Sequence, residues 1–233
     1  MYHKETVVVT GAAGALGRAV VDHFLMGGAH VIAVDYAADL LTEALSQAGE
    51  RCRLEVCDLT DRSACLDLSN RLLEAYGEVS ILCNIAGGFH MGESVFETQD
   101  STWDFLFNLN TKSIVYMTQR LVPAMVAQGR GRVINVGAVA ATQGQAMMGA
   151  YLASKSATIR LTESLAEEVK CYGVNVNCVM PGVIDTPRNR ADMPDADFAQ
   201  WVRPEKMAEV IGFLASEASS AIHGASVPVR GLS

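Results

Sequence analysis

Short runs of β-branched and apolar residues recur along the 233-residue chain, each followed by a longer stretch with apolar positions three and four apart. The short runs predict strands at Thr6–Thr10, Val31–Asp35, Arg53–Cys57, Val79–Asn84, Arg132–Val136, Val174–Met180 and Ser226–Val229. The periodic stretches predict helices at Leu16–Met26, Ala37–Ala48, Asp61–Tyr76, Thr102–Gln128, Ala150–Tyr172 and Pro204–Ser216. Several of the strands are apolar throughout, the pattern of a sheet covered on both faces. Strand–helix alternation at this density implies parallel strands joined by right-handed crossovers. No repeat of solenoid period and no linker-like stretch interrupts it. The expectation is one doubly wound α/β domain of Rossmann type over residues 1–233, with a seven-stranded parallel sheet and helices on both faces. A cofactor half runs to about residue 130 and a catalytic and lid half follows it.

One segment departs from this rhythm. Asp185 to Trp201, "DTPRNRADMPDADFAQW", is polar and irregular and carries two prolines. It follows directly on a predicted strand, where α/β sheets bind their ligands, so it reads as a lid.

Composition narrows the class. Half of the residues are hydrophobic, which excludes a disordered chain. The net charge of −8 argues against nucleic acid and anionic membrane surfaces, both of which need clustered Lys and Arg. The six cysteines form no CxxC pair and have no His at ligand spacing, so they read as reduced, buried thiols with no metal site. With no apolar run long enough to span a bilayer and no room for a signal peptide before the first strand, a soluble cytoplasmic protein is expected.

The first strand runs into "TGAAGALG", with glycines at Gly11, Gly14 and Gly17 opening an amphipathic helix that starts at Ala15 and Leu16. After a strand and before a helix, this is a dinucleotide fingerprint. Gly11 permits the tight turn, Gly14 lets backbone approach a pyrophosphate, and Gly17 allows close packing. The second strand ends at Asp35, where a carboxylate accepts both ribose hydroxyls and repels a 2′-phosphate, so NAD(H) is favoured over NADP(H). Asp58 and Leu59, after the third strand, are placed to flank the adenine. Asn84, Ala86 and Gly87 end the fourth strand, where backbone passes close to the second ribose.

Tyr151 and Lys155 are four apart on a predicted helix and so share a face. An ammonium beside a phenol stabilises the phenolate and draws a pKa of about 10 towards neutrality, where a proton donor works best.

Four motifs, "TGxxGxxG", "NIAG", "YLASK" and "MPGVIDT", occur in order, and from Thr6 to Gly231 the chain resembles the short-chain dehydrogenase/reductase family. The resemblance implies that Tyr151 exchanges the substrate proton. It further implies that Lys155 holds the nicotinamide ribose and that Asn110 anchors a water relay. Pro181, Gly182 and Val183 then belong to the cofactor site, and Thr186 takes the position that hydrogen-bonds the carboxamide. It also implies a homodimer or homotetramer built on the two long helices and the last strand.

The departure from the family pattern is Ala138, thirteen residues before the tyrosine, where a serine is usual. Loss of one such hydrogen bond costs about 3–4 kcal/mol of transition-state stabilisation in other enzymes. Either Thr142, Gln143 or Gln145 replaces the donor, or the acceptor is activated enough to need none. The "GALG" glycine spacing, "CNIAGG", "GAVAA" and the whole 185–201 segment resemble the dihydropteridine reductase branch, while Asn110 and Pro181-Gly182 resemble the general family. Three functions follow: an NADH-dependent reductase of an activated C=N or quinonoid substrate, a carbonyl reductase or alcohol dehydrogenase with a substitute donor, and a non-enzymatic dinucleotide-binding regulator. Met91, Met147, Met148 and Met193 read as core filling or as an apolar wall of the pocket. Arg188 and Arg190 read as anion ligands or as partners of the lid's aspartates.

Overall fold

In the computed structural model, which describes residues 2–232, seven strands form one all-parallel sheet in the order β3-β2-β1-β4-β5-β6-β7. They are β1 (Thr6–Thr10), β2 (His30–Asp35), β3 (Cys52–Val56), β4 (Ile81–Asn84), β5 (Gly131–Val136), β6 (Val174–Pro181) and β7 (Ser226–Val229). The strand order reverses between β1 and β4, the point at which a doubly wound sheet opens a crevice at its carboxyl edge.

Alternate side chains of each strand feed opposite layers. Val7 and Val9 of β1 pack with Val20, Phe24 and Leu25 of α1 (Ala15–Met26), Leu41 and Leu45 of α2 (Ala38–Leu45), and Met207, Ile211 and Leu214 of α8 (Pro204–Ala215). Val8 packs the other way, with Leu68 and Leu72 of α3 (Arg62–Tyr76) and Met117, Leu121 and Met125 of α5 (Ser113–Gln128). Every residue of β1, β4 and β6 is buried, which suits their largely apolar character, and the buried Asn84, Asn175 and Asn177 are hydrogen-bonded. Local signals set the helix ends. Asp61 caps α3 by accepting from the Ser63 and Ala64 N–H groups, and Gly129, at φ +69°, terminates α5 in the left-handed region.

Two predicted elements differ. The helix expected over Thr102–Gln128 is α4 (Asp100–Phe107), one wider π turn at Asn108–Lys112, and then α5. The cause is tertiary: Asn110, fully buried in that turn, is bonded outside its own helix, as described below. The lid is not irregular throughout, since Pro187–Asp192 forms α7, with Thr186 as N-cap and proline in the first turn. α6 covers Gly149–Val169, and a 3-10 turn at Lys170–Tyr172 completes the predicted Ala150–Tyr172 stretch. All six cysteines are free, but only Cys57, Cys65, Cys83 and Cys178 are buried; Cys171 is exposed and Cys52 half-buried. No helix is long and apolar enough to cross a membrane, and no group of three or more His, Cys, Asp or Glu among the described residues is arranged to hold a metal.

Candidate active site

The sheet being parallel, the segments that leave its strands gather on one edge. Gly11 follows β1 with φ +65°, and a Cβ there would lie 2.8 Å from the backbone of Ala86, just past β4. Gly17 packs directly on the backbone of Gly11 and Ala12, so a side chain there has no room. Gly14 is different. A Cβ on it would meet only the Gly11 carbonyl, at an ordinary 3.4 Å, so no protein atom demands a glycine at this position. Gly14 is the N-cap of α1, without a side-chain cap and without an acid in the first turn, which holds Ala15, Leu16 and Gly17. An uncapped helix start with bare backbone in front of it is suited to a phosphate group.

Asp35 sits beside this loop. Its Oδ2 accepts from the Ala13 N–H at 3.0 Å and its Oδ1 from the Tyr36 N–H at 2.8 Å, leaving lone pairs on both oxygens for further donors. The carboxylate is buried. Beyond it, exposed Asp58 turns Oδ1 to the Thr60 N–H and hydroxyl, at 2.9 and 2.7 Å, while Leu59 is buried. The residues present fit a dinucleotide: Gly14 with no protein atom closer than 3.4 Å to the place of a side chain, a buried Asp35 carboxylate with lone pairs unspent, and the exposed Asp58 beyond it.

At the other end, Lys155 is buried and donates Nζ to the Val136 carbonyl at 2.8 Å. A Cβ on Gly87 would lie 3.1 Å from that Nζ and 2.9 Å from Asn110 Oδ1. Gly87 thereby lets the chain leaving β4 pass over both candidate residues. Burial pulls the lysine down to about 8. Tyr151, one turn earlier on α6, is pushed up to about 12 by burial. The expected lowering of the phenol by the ammonium is therefore not found in the cofactor-free protein. Desolvation governs both groups, and Nζ is engaged at Val136. The phenol ring carries Phe89 edge-on, with centroids 4.8 Å apart.

Asn110 is where the sequence places it, but its side chain has structural partners. Oδ1 accepts from the Gly88 N–H at 2.7 Å, and Nδ2 donates to the Gly88 carbonyl at 3.1 Å and to Ser154 Oγ at 2.9 Å. Its own carbonyl accepts from Thr158 Oγ1 at 2.9 Å. Ala138 is buried with Ala141, Leu152, Ile159, Cys178 and Met180, and Tyr151 packs against that group. None of the three proposed substitutes supplies a polar atom to it. Thr142 Oγ1 donates to the Val139 carbonyl within its own turn, and Gln143 and Gln145 are exposed.

The lid is tied at its base. Asp185 N–H donates to the Val202 carbonyl, Val202 N–H to the Val183 carbonyl, and Gly182 N–H to Val229. Pro181 ends β6, and Thr186 Oγ1 accepts from Asn189 N–H at 3.1 Å. Arg190 grips Asp185 through two bonds of 2.6 and 2.7 Å and lies over the Phe198 ring, while Arg188 pairs with Asp192 at 3.8 Å. Both arginines thus have acidic partners within the lid. A cavity of about 610 Å³ runs along the lid between Asp185, Arg190, Phe198 and Trp201, and neither Tyr151 nor Lys155 lines it.

Residues 5–197 match the family model described as short chain dehydrogenase. This chain belongs to that family. It is 30% identical to the 3-oxoacyl-(acyl-carrier-protein) reductase FabG of Thermotoga maritima over 96% of this chain and 95% of that one. It is 32% identical to a sorbitol dehydrogenase of Cereibacter sphaeroides, over 88% of this chain and 81% of that one. Among solved structures, an NAD+-bound xylitol dehydrogenase superposes with TM-score 0.91, covering 99% of both chains, at 23% identity, a likeness of fold. A Beutenbergia cavernae protein described as an NAD(P)-dependent gluconate 5-dehydrogenase, with NADP bound at low occupancy, superposes with TM-score 0.90 at 30% identity, covering 98% of this chain and 96% of that one. The chain is thus an NAD(P)-dependent oxidoreductase of the short chain dehydrogenase family.

In this short chain dehydrogenase a buried polar chain underlies the candidate site, and most of it was not foreseen from the sequence. Asn84 Nδ2 donates to Asn135 Oδ1, Asn135 Nδ2 to Thr162 Oγ1, and Thr162 Oγ1 to the Thr158 carbonyl, each at 2.8–2.9 Å. Asn84 thus spends its amide nitrogen on β5. Thr10 Oγ1 accepts from the Ile85 and Ala86 N–H groups at 3.1 and 3.2 Å, fixing the strand end that faces the glycine loop. The available signal was an asparagine at or next to the end of each strand; the two are register partners across β4 and β5.

Proposed function

We propose that the chain reduces an activated C=N or quinonoid acceptor, such as a quinonoid dihydropterin, with NADH as reductant. The observation that carries this reading is Ala138. A buried methyl group stands where a ketone oxygen would need a hydroxyl, and the neighbouring polar side chains do not replace it. An acceptor that delocalises the charge it receives has little use for that hydrogen bond, whereas a simple ketone loses about 3–4 kcal/mol without it. NADH is preferred over NADPH because the Asp35 carboxylate stands beside the glycine loop and repels a phosphate.

Bound NADH supplies the hydride. Ala15, Leu16 and Gly17 present the open start of α1 to the pyrophosphate, and Asp35 accepts from the adenosine ribose. Gly87 and Lys155 would hold the second ribose, and Pro181, Gly182, Val183 and Thr186 would hold the nicotinamide. Tyr151 gives the proton. It is protonated at neutral pH, burial having raised its pKa above that of a free phenol. Lys155, charged below about 8, stabilises the phenolate once the proton has left. Asn110 holds Gly88 and Ser154, and so fixes the two segments on either side of the phenol.

A second reading is favoured by the relatives, which include a 3-oxoacyl reductase and a sorbitol dehydrogenase: reduction of a carbonyl or oxidation of an alcohol. It requires Gln143 or Gln145 to turn inward. Ala138→Ser separates the two. The activated-acceptor reading predicts a gain of about a hundredfold in ketone turnover and little change with quinonoid dihydropterin; a large gain on the dihydropterin contradicts it.

The outer faces of α5 and α6 share an apolar groove of about 450 Å³ lined by Val115, Val122, Val126 and Leu165. We propose this as the face on which two copies meet in a homodimer or homotetramer.

A further inference from the structure

The loop that leaves β4 returns three times to the start of α6. Phe89 stands edge-on against the Tyr151 ring. The Gly92 N–H donates to the Met147 carbonyl at 2.8 Å. Val95 fills the space a side chain on Gly149 would occupy, with its Cγ2 2.5 Å from the position of that absent Cβ. The base of the loop is held as firmly, because Asn110 binds both the N–H and the carbonyl of Gly88.

Met147 is one of two non-glycine residues among those described that have positive φ, at +64°. Such a conformation persists only where its surroundings impose it. Met147 lies four residues before Tyr151, and its carbonyl is the one that accepts from Gly92. The loop is apolar and exposed at Met91 and Phe96, and Val95 keeps 61% of its surface exposed while its Cγ2 rests at Gly149. The titratable side chains on the loop, His90 and Glu93, lie 3.6 Å from each other.

We infer that Phe89–Phe96 is a strap that positions Tyr151, with Val95 against Gly149 as its joint. Val95 is a positioning residue, acting through the backbone of Gly149 and Ala150 and through the Phe89 ring. The inference rests on Tyr151 being the proton donor, but its geometry is measurable without any substrate. A methyl group added at Gly149 displaces Val95 Cγ2 from its seat and so loosens the joint; shortening Val95 at the same time gives the room back.

The experiment compares wild type, Gly149→Ala, Val95→Ala and the double variant without cofactor. Each background also carries Tyr151→Phe, so that difference absorbance isolates the Tyr151 titration. In Gly149→Ala the strap no longer covers the phenol, and its midpoint falls towards the ordinary value of about 10. Val95→Ala alone gives a smaller fall. The double variant returns towards wild type, a coupling of the kind expected of groups in contact. With turnover as a second readout, kcat falls at least about tenfold in Gly149→Ala, with KM for NADH unchanged, and recovers in the double variant. A Gly149→Ala protein that titrates like wild type overturns the inference, as does a double variant whose shifts simply add. Should Gly149→Ala not fold, Val95→Ala and the double variant decide it: a double variant that stays unfolded, or titrates no closer to wild type than Val95→Ala, counts against the joint. Absence of dihydropterin turnover in wild type counts against the proposed substrate and leaves the titration result standing.

Discussion

Lys155 donates its Nζ to the Val136 carbonyl at 2.8 Å, two residues before Ala138, with only 5% of its surface exposed. A lysine so placed carries its charge at a cost, which sets a pH dependence. Its folded pKa, about 8, lies below the ordinary 10.5, so between those values the unfolded chain binds more protons than the native one. Stability therefore rises with pH across that window. In the cofactor-free protein, melting temperature measured from pH 7.5 to 10 is expected to rise for wild type relative to Lys155→Met, by a few degrees. Parallel curves would contradict the burial argument.

On the role proposed for Lys155, the same group sets the upper limit of activity. As pH rises through about 8, Lys155 loses the charge that stabilises the departing-proton form of Tyr151. The rate of reduction is expected to fall above that value, with no loss of NADH binding of comparable size. A rate flat to pH 10 would separate the lysine's charge from proton transfer.

Asp35 binds the Ala13 N–H and therefore joins the ribose end of the site to the glycine loop. Asp35→Asn keeps an oxygen acceptor and removes the negative charge. The ratio of kcat/KM for NADPH to that for NADH is expected to rise by about tenfold or more. An unchanged ratio would mean that coenzyme choice is made elsewhere.

Gly14 and Gly17 make contrasting predictions from one loop. Gly17→Ala meets the backbone of Gly11 and Ala12 and is expected to lower the melting temperature. Gly14→Ala meets nothing closer than 3.4 Å, so the melting temperature stays near wild type while the Kd for NADH rises about tenfold or more. Equal destabilisation by the two changes would remove the case for a ligand at Gly14.

The central strands were legible because burial on both faces leaves mostly apolar runs, and the glycine loop because its spacing sits between strand and helix. Tyr151 and Lys155 were legible from a spacing of four. The break in the helix over Asn108–Lys112 was not, since its cause lies in bonds to Gly88, Ser154 and Thr158, far away in sequence. α7 did carry a signal, Thr186 followed by Pro187, but one of only a turn or two, lost in a polar segment. Phe89 and Val95 read as ordinary loop residues; only the fold brings them to Tyr151 and Gly149.

The most direct test of the central claim follows NADH oxidation with quinonoid dihydropterin generated in place, beside Tyr151→Phe and a reaction without enzyme. Turnover well above background that collapses in Tyr151→Phe is the predicted result, with Ala138 then explained by an acceptor that needs no hydroxyl. Tight NADH binding without turnover would contradict it, leaving the cofactor half of the account and removing its substrate.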